Sequence, residues 1–166
     1  NNRSTAIGYY AMFAANNQIA DSERETFNTA VGYKSLRGSY DPALNTGQYN
    51  TAIGDETMLN NTSGQHNSAH GYHTLYNNTT GSYNAAFGSM ALDSNETGSY
   101  NTAVGFEAAK NTTGGSNLAL GYQSLFSNVD NKRNTALGIK AMFNADNRET
   151  GQDAYNTAIG YEALAG

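Results

Sequence analysis

Three histidines fall in one short stretch, His66, His70 and His73, with three and then two residues between them. Imidazoles at such spacing are of the type that ligates zinc. Coordination needs several ligands that converge, however. Two of these three stand where the repeat described below carries Tyr or an apolar residue, so they read as substitutions at structural positions. No metal and no cofactor is expected. The acids Asp55, Glu56, Glu96 and Glu107 are scattered. No motif sets two of them as the carboxylate pair that a glycoside hydrolase requires. The chain has no Cys, no G-x-S-x-G and no phosphate loop, so catalysis has no constellation to rest on. Asn-x-Ser/Thr triplets begin at Asn2, Asn60, Asn61, Asn77, Asn78, Asn95 and Asn111. They would be glycan acceptors in a eukaryotic secreted chain. Most recur at one turn position, where Asn serves the backbone.

The elements behind these residues are set by a repeat. Residues 4–12, 28–36, 50–58, 67–75, 84–92, 101–109, 117–125, 134–142 and 156–164 fit one pattern, N-T-A-h-G-Y-x-A-L, with small deviations, where h is usually apolar. Its glycines are Gly8, Gly32, Gly54, Gly71, Gly88, Gly105, Gly121, Gly138 and Gly160, spaced by 24, 22, 17, 17, 17, 16, 17 and 22 residues. A looser Asn-Thr-Gly motif lies between the units, as in residues 78–83 and 95–100, and marks a turn. A Tyr, or Phe27 or His66 in its place, then leads into the next unit.

A unit of 17 residues is too short for a helical-hairpin repeat, which needs roughly 33 or more. It suits one coil of a parallel β-solenoid: a short strand, a bend at Gly, a second short strand over x-A-L, and a polar return. Nine coils at about 4.8 Å each would make a rod of about 40 Å. Alternation puts Asn, Ala and Gly on one face of the first strand and Thr and h on the other. The h column runs Ile7, Val31, Ile53, His70, Phe87, Val104, Leu120, Leu137, Ile159. The last column runs Met12, Leu36, Met58, Leu75, Leu92, Ala109, Leu125, Met142, Leu164. Both are almost wholly apolar and are expected to face a core. Ala recurs in every unit, which implies a wall packed close against it. A Thr ladder (Thr5, Thr29, Thr51, Thr102, Thr135, Thr157) suggests ice binding, but Ser68, Ala85 and Leu118 interrupt it and it shares the face expected to be buried.

Composition agrees with a narrow core. In 166 residues Leu, Ile, Val and Phe total only 24, against 23 Asn, 18 Gly and 12 Tyr. Asn and Gly tolerate left-handed backbone and build tight turns. The net charge of −5 argues against a surface that tracks phosphates, so nucleic acid is not an expected partner. No apolar run is long enough to span a membrane. The chain begins at Asn1, not Met, and both terminal units keep the motif. The expectation is one repeat domain over residues 1–166, a segment of a longer fibrous protein.

The pattern N-T-A-I-G-Y-x-A-L, as in residues 156–164, resembles the head repeats of YadA-like trimeric autotransporter adhesins. It also looks like the Asn-Thr-Gly-rich repeats of phage tail fibres. The resemblance covers the whole chain, although this repeat is longer and richer in Tyr and carries no neck motif or heptad stalk. It implies a left-handed β-roll in which three parallel chains pack side by side. It further implies an extracellular place on a bacterial surface or virion, and partners among host surface proteins, matrix or glycans. The thin core points the same way, to a homotrimer.

Three insertions break the repeat and carry mixed charge. Residues 13–27 hold Asp21, Glu23, Arg24 and Glu25. Residues 37–49 hold Arg37, Tyr40, Asp41 and the one Pro, Pro42. Residues 143–155 hold Asp146, Arg148, Glu149 and Asp153. Insertions in repeat proteins form surface loops that often bind. The candidate binding residues are Asp21, Glu23, Arg24, Glu25, Tyr40, Arg148, Glu149 and Asp153. The alternative is that these loops only cover neighbouring coils.

Overall fold

A computed structural model describes residues 3–14, 25–144 and 153–166. Among them the chain forms one parallel sheet of nine three-residue strands and no α-helix. The strands are β1 (Thr5–Ile7), β2 (Thr29–Val31), β3 (Thr51–Ile53), β4 (Ser68–His70), β5 (Ala85–Phe87), β6 (Thr102–Val104), β7 (Leu118–Leu120), β8 (Thr135–Leu137) and β9 (Thr157–Ile159). Each lies beside its neighbour in sequence, and the register matches like with like: Ala30 faces Ala52, and Val31 faces Ile53. Such ordered, in-register, parallel stacking is the arrangement of a β-solenoid or β-roll, as the repeat predicts.

Each strand ends at the repeat glycine. Gly32 has φ +132°, and a Cβ there would meet the carbonyl oxygen of Gly54 at 2.5 Å. Neighbouring turns of the chain approach too closely at this bend for any side chain, so the glycine recurs.

The arm after the bend differs from expectation. It holds no second strand. Its residues form turns in which every second position is left-handed, such as Lys34 (φ 51°) and Leu36 (φ 48°). A Leu or Met in this region costs about 1–2 kcal/mol. The cost is offset because the same residues bond from one turn of the chain to the next: Leu36 N–H donates to Thr57 O at 2.9 Å and Met58 N–H to Thr74 O at 2.9 Å.

The core is thin. Ala30, Ala52, Ala69, Ala86, Ala103, Ala119 and Ala136 are 0% exposed. They pack against Met12, Leu36, Met58, Leu75, Leu92, Ala109, Leu125 and Met142 from the opposite arm. The wall against Ala is thus the chain's own second arm. The h column does not join it, which corrects the sequence reading. Ile7, Ile53, Phe87, Val104, Leu137 and Ile159 are exposed, Val104 by 40% and Ile159 by 67%. Strand alternation allows only one inward face, and the narrow interior accepts Ala there, not a β-branched residue.

Two polar ladders close the cross-section. Asn28, Asn50, Asn67, Asn84, Asn101, Asn117 and Asn134 are buried. Asn84 shows the pattern: its backbone N–H donates to Asn67 Oδ1 (2.9 Å), its Nδ2 donates to Gly98 O (2.9 Å), and its Oδ1 accepts from Asn101 N–H (2.9 Å). In the second ladder Asn78 Nδ2 donates to Asn61 Oδ1 (2.7 Å) and Asn95 Nδ2 to Asn78 Oδ1 (3.1 Å). Buried amides bonded in this way satisfy the backbone of the return turns.

Candidate functional site

The outer face of the sheet presents exposed or partly exposed side chains along all the described strands. Along it the Thr column and the exposed apolar column run in parallel, and the residues after the bends add Tyr9, Tyr33, Tyr72, Phe106, Tyr122, Ile139 and Tyr161, all exposed. Nine strands at about 4.8 Å extend this apolar face for about 40 Å. The Thr ladder lies on this outer face, not in a core. Besides the breaks at Ser68, Ala85 and Leu118, aromatic His70 and Phe87 stack across its middle with ring centroids 4.9 Å apart.

A second exposed column precedes the strands. Phe27, Tyr49, His66, Tyr83 and Tyr100 stack ring on ring, with centroids 4.8, 4.7, 5.0 and 5.1 Å apart and planes within 9° of parallel. The rings follow the strand spacing, because each sits on the left-handed residue just before the buried Asn. The column then breaks. Ser116 takes the next ring position, followed by Arg133 and Tyr155.

The histidines occupy three separate columns. His66 belongs to the ring stack and His70 to the outer sheet face. His73 Nε2 lies 2.8 Å from Glu56 Oε2, and Lys34 Nζ lies 3.3 Å from Glu56 Oε1. Partial burial alone would raise the Glu56 carboxyl, but the hydrogen bonds from His73 and Lys34 outweigh it and hold it below its usual value. Among the described residues no group of His, Asp and Glu converges as a metal site. Glu107 is likewise engaged, by Lys110 Nζ at 2.7 Å and Gln123 Nε2 at 2.7 Å. Asp93 behaves in the opposite sense: burial raises its carboxyl, and His73 and Lys110 offset this only in part. The amides of Asn61, Asn78 and Asn95 are buried and bonded, so these sequence triplets serve turns in the folded chain.

Of the candidate loop residues, Asp21, Glu23, Arg24, Arg148 and Glu149 lie outside the described residues. Glu25 pairs with Arg3 at 3.3 Å on the surface. Tyr40 is 73% exposed and lies under the Arg37 guanidinium, 4.7 Å from its ring centroid. Its loop includes a short 3₁₀ helix (Pro42–Leu44) and is tied to the body by Asn45, whose Nδ2 donates to Ala14 O at 2.9 Å. Asp153 pairs with Arg133. No hydrogen bond, ion pair or ring contact among the described residues joins Glu25, Tyr40 and Asp153 to one another. The structure instead sets Asp153 beside residues that the sequence reading passed over, Tyr100, Ser116, Asp130 and Arg133, around a notch of about 340 Å³. The signal for them was present: one spacing of 16 where 17 is usual, and a Ser and an Arg where a ring belongs.

Comparison with protein-family models, with curated proteins and with solved structures gives no match.

Proposed function

We propose that the chain is a non-enzymatic segment of an extracellular fibre, a left-handed roll of nine coils in which three parallel copies pack through the outer sheet face. The observation that carries this reading is the column on that face from Ile7 to Ile159, apolar except at His70, in which Ile7, Ile53, Phe87, Val104, Leu137 and Ile159 are exposed. Parallel copies would set like columns at equal height, so one contact repeats along the rod and closes by rotational symmetry. The resemblance to adhesin heads supplies the number three and the setting, a bacterial surface protein that binds matrix or host cells. The regular run from β3 to β6, spaced by 17 residues throughout, also suits a shaft. That favours a phage tail fibre as the second setting for the same geometry. The engagement of Glu56 and Glu107 in local pairs supports a non-catalytic role.

Sedimentation equilibrium tests the assembly. A mass three times the 17.7 kDa of one chain is expected, and a monomer at micromolar concentration would remove the trimer. Adhesion to matrix-coated surfaces, against turnover on a polysaccharide panel, tests the role. Turnover that is lost on mutating Glu56 or Glu107 would make the protein an enzyme.

A further inference from the structure

The break in the ring column at Ser116 coincides with a one-residue shortening of the chain. Gly105 and Gly121 are 16 residues apart, where the four preceding spacings are 22, 17, 17 and 17. Two breaks accompany the shortening. The second amide ladder stops, because Thr112 follows Asn95 and bonds instead to Leu125 O at 3.2 Å, leaving Asn95 Oδ1 without a partner. The ring column stops as well. Tyr100 stacks on Tyr83 through one face, and on the other side the position beside it holds only Ser116. Tyr100 is accordingly 63% exposed.

Across the gap stands Arg133. Its guanidinium lies over Tyr155, 5.2 Å from the ring centroid, and bonds Asp153 and the Tyr155 hydroxyl. Planar donors held in this way are pre-organised. Tyr100 and Arg133 are two column positions apart, about 9.6 Å at the strand spacing. Two van der Waals contacts take up roughly 7–8 Å of that. The remainder admits the thickness of one puckered ring.

We propose that this notch is a glycan site that stacks one pyranose ring between Tyr100 and Arg133 and binds its hydroxyls through Ser99, Asp130 and Asp153. The apolar C–H face of a pyranose suits a tyrosine ring, and its vicinal hydroxyls suit carboxylates and serine hydroxyls. The lining fits this class better than a nucleotide. A base would stack as well, but the lining balances Lys132 and Arg133 against Asp130 and Asp153 and so offers no net positive charge to draw its phosphate. The site belongs to a single chain, and it takes from the fibre reading only its extracellular setting.

Saturation-transfer NMR on the whole chain tests the site, with the methyl glycosides of glucose, galactose, mannose and N-acetylglucosamine as probes and adenosine monophosphate as the contrasting ligand. At least one glycoside is expected to receive saturation at its ring protons. Y100F should bind as the parent does, because it keeps the ring. Y100S, which copies the residue already accepted at position 116, should weaken binding about tenfold or more. S116Y removes no group and continues the column, so it should abolish binding while leaving the melting temperature unchanged or higher. The proposal is overturned if no glycoside binds, if only the nucleotide binds, or if S116Y binds as the parent does. Sedimentation of the same samples keeps the readings apart, since a monomer that binds sugar and a trimer that does not each fail one of them alone.

Discussion

At the residue scale the buried asparagines do the work that large aliphatics do elsewhere. Asn84 takes its place in the ladder through its backbone N–H, which donates to Asn67 Oδ1, and through its side chain, which bonds Gly98 O and Asn101 N–H. N84A would leave the buried Asn101 N–H without its acceptor and would take from Gly98 O one of its two amide donors, Asn95 Nδ2 being the other. It is expected to destabilise by about 2 kcal/mol or somewhat more, measured by chemical denaturation. N84D should be worse, since a buried carboxylate cannot donate to Gly98 O. Glu107 makes the pH dependence testable. The hydrogen bond from Lys110 depresses its carboxyl, burial opposes this, and the Gln123 amide adds to the depression. A carboxyl whose folded value is depressed contributes stability above its unfolded value and loses it as pH falls through the folded one. E107Q should therefore melt below the parent at neutral pH. The gap should close only as pH falls past the ordinary carboxyl range and on through the depressed folded value. A gap that widens in acid would sink this account.

At the scale of the element, each turn of the chain is one short strand, a glycine bend and an arm of left-handed residues. The two halves meet across a layer only as thick as Ala against Leu or Met. That thinness makes the Ala column intolerant. A103V adds two methyl groups where Ala103 is fully buried and should cost about 1–3 kcal/mol. L92A removes a fully buried side chain from the opposite arm and should cost about 2–5 kcal/mol. Stability in stacked repeats is close to a sum of neighbour terms. Both losses should therefore appear as reduced hydrogen-exchange protection concentrated around β5 to β7, with the distant turns of the chain less affected. Equal loss of protection from β2 to β9 would indicate a single cooperative unit instead.

For the whole molecule the proposed assembly turns on the outer sheet face. If copies of the chain cover it, V104K combined with L137K should leave the single chain folded, because both residues point outward and are exposed by about two-fifths. The same pair should abolish assembly, because charge would be buried without a partner. Circular dichroism and sedimentation read the two effects separately. A trimer that survives the double substitution would move the interface to another face. The loop of residues 37–49 provides a separate test. Trimming it to the 17-residue spacing should preserve the sheet and lower adhesion, if exposed Tyr40 takes part in contact. Unchanged adhesion would make this loop a cover for neighbouring turns.

Much of the fold was legible in the residues by themselves. Nine recurrences of Ala-h-Gly located all nine strands, and strand alternation placed Asn with Ala and Thr with the apolar position. Periodicity cannot say which of two faces turns inward, because an apolar column on either face satisfies it. Volume decided that. The interior beside Leu36, Met58 and Leu92 is too narrow for Val or Ile, so Ala30 and its equivalents went in and Val104 and its equivalents stayed out. Nor could pattern alone show that the x-A-L arm would be turns, since Leu36 and Met58 enter the left-handed region only because bonds between successive turns of the chain hold them there. The notch was legible only as a pair of irregularities. A missing residue before Ser116 and an Arg at position 133 look like noise in a repeat, until stacking places Tyr100, Ser116, Arg133 and Asp153 side by side from four different turns of the chain.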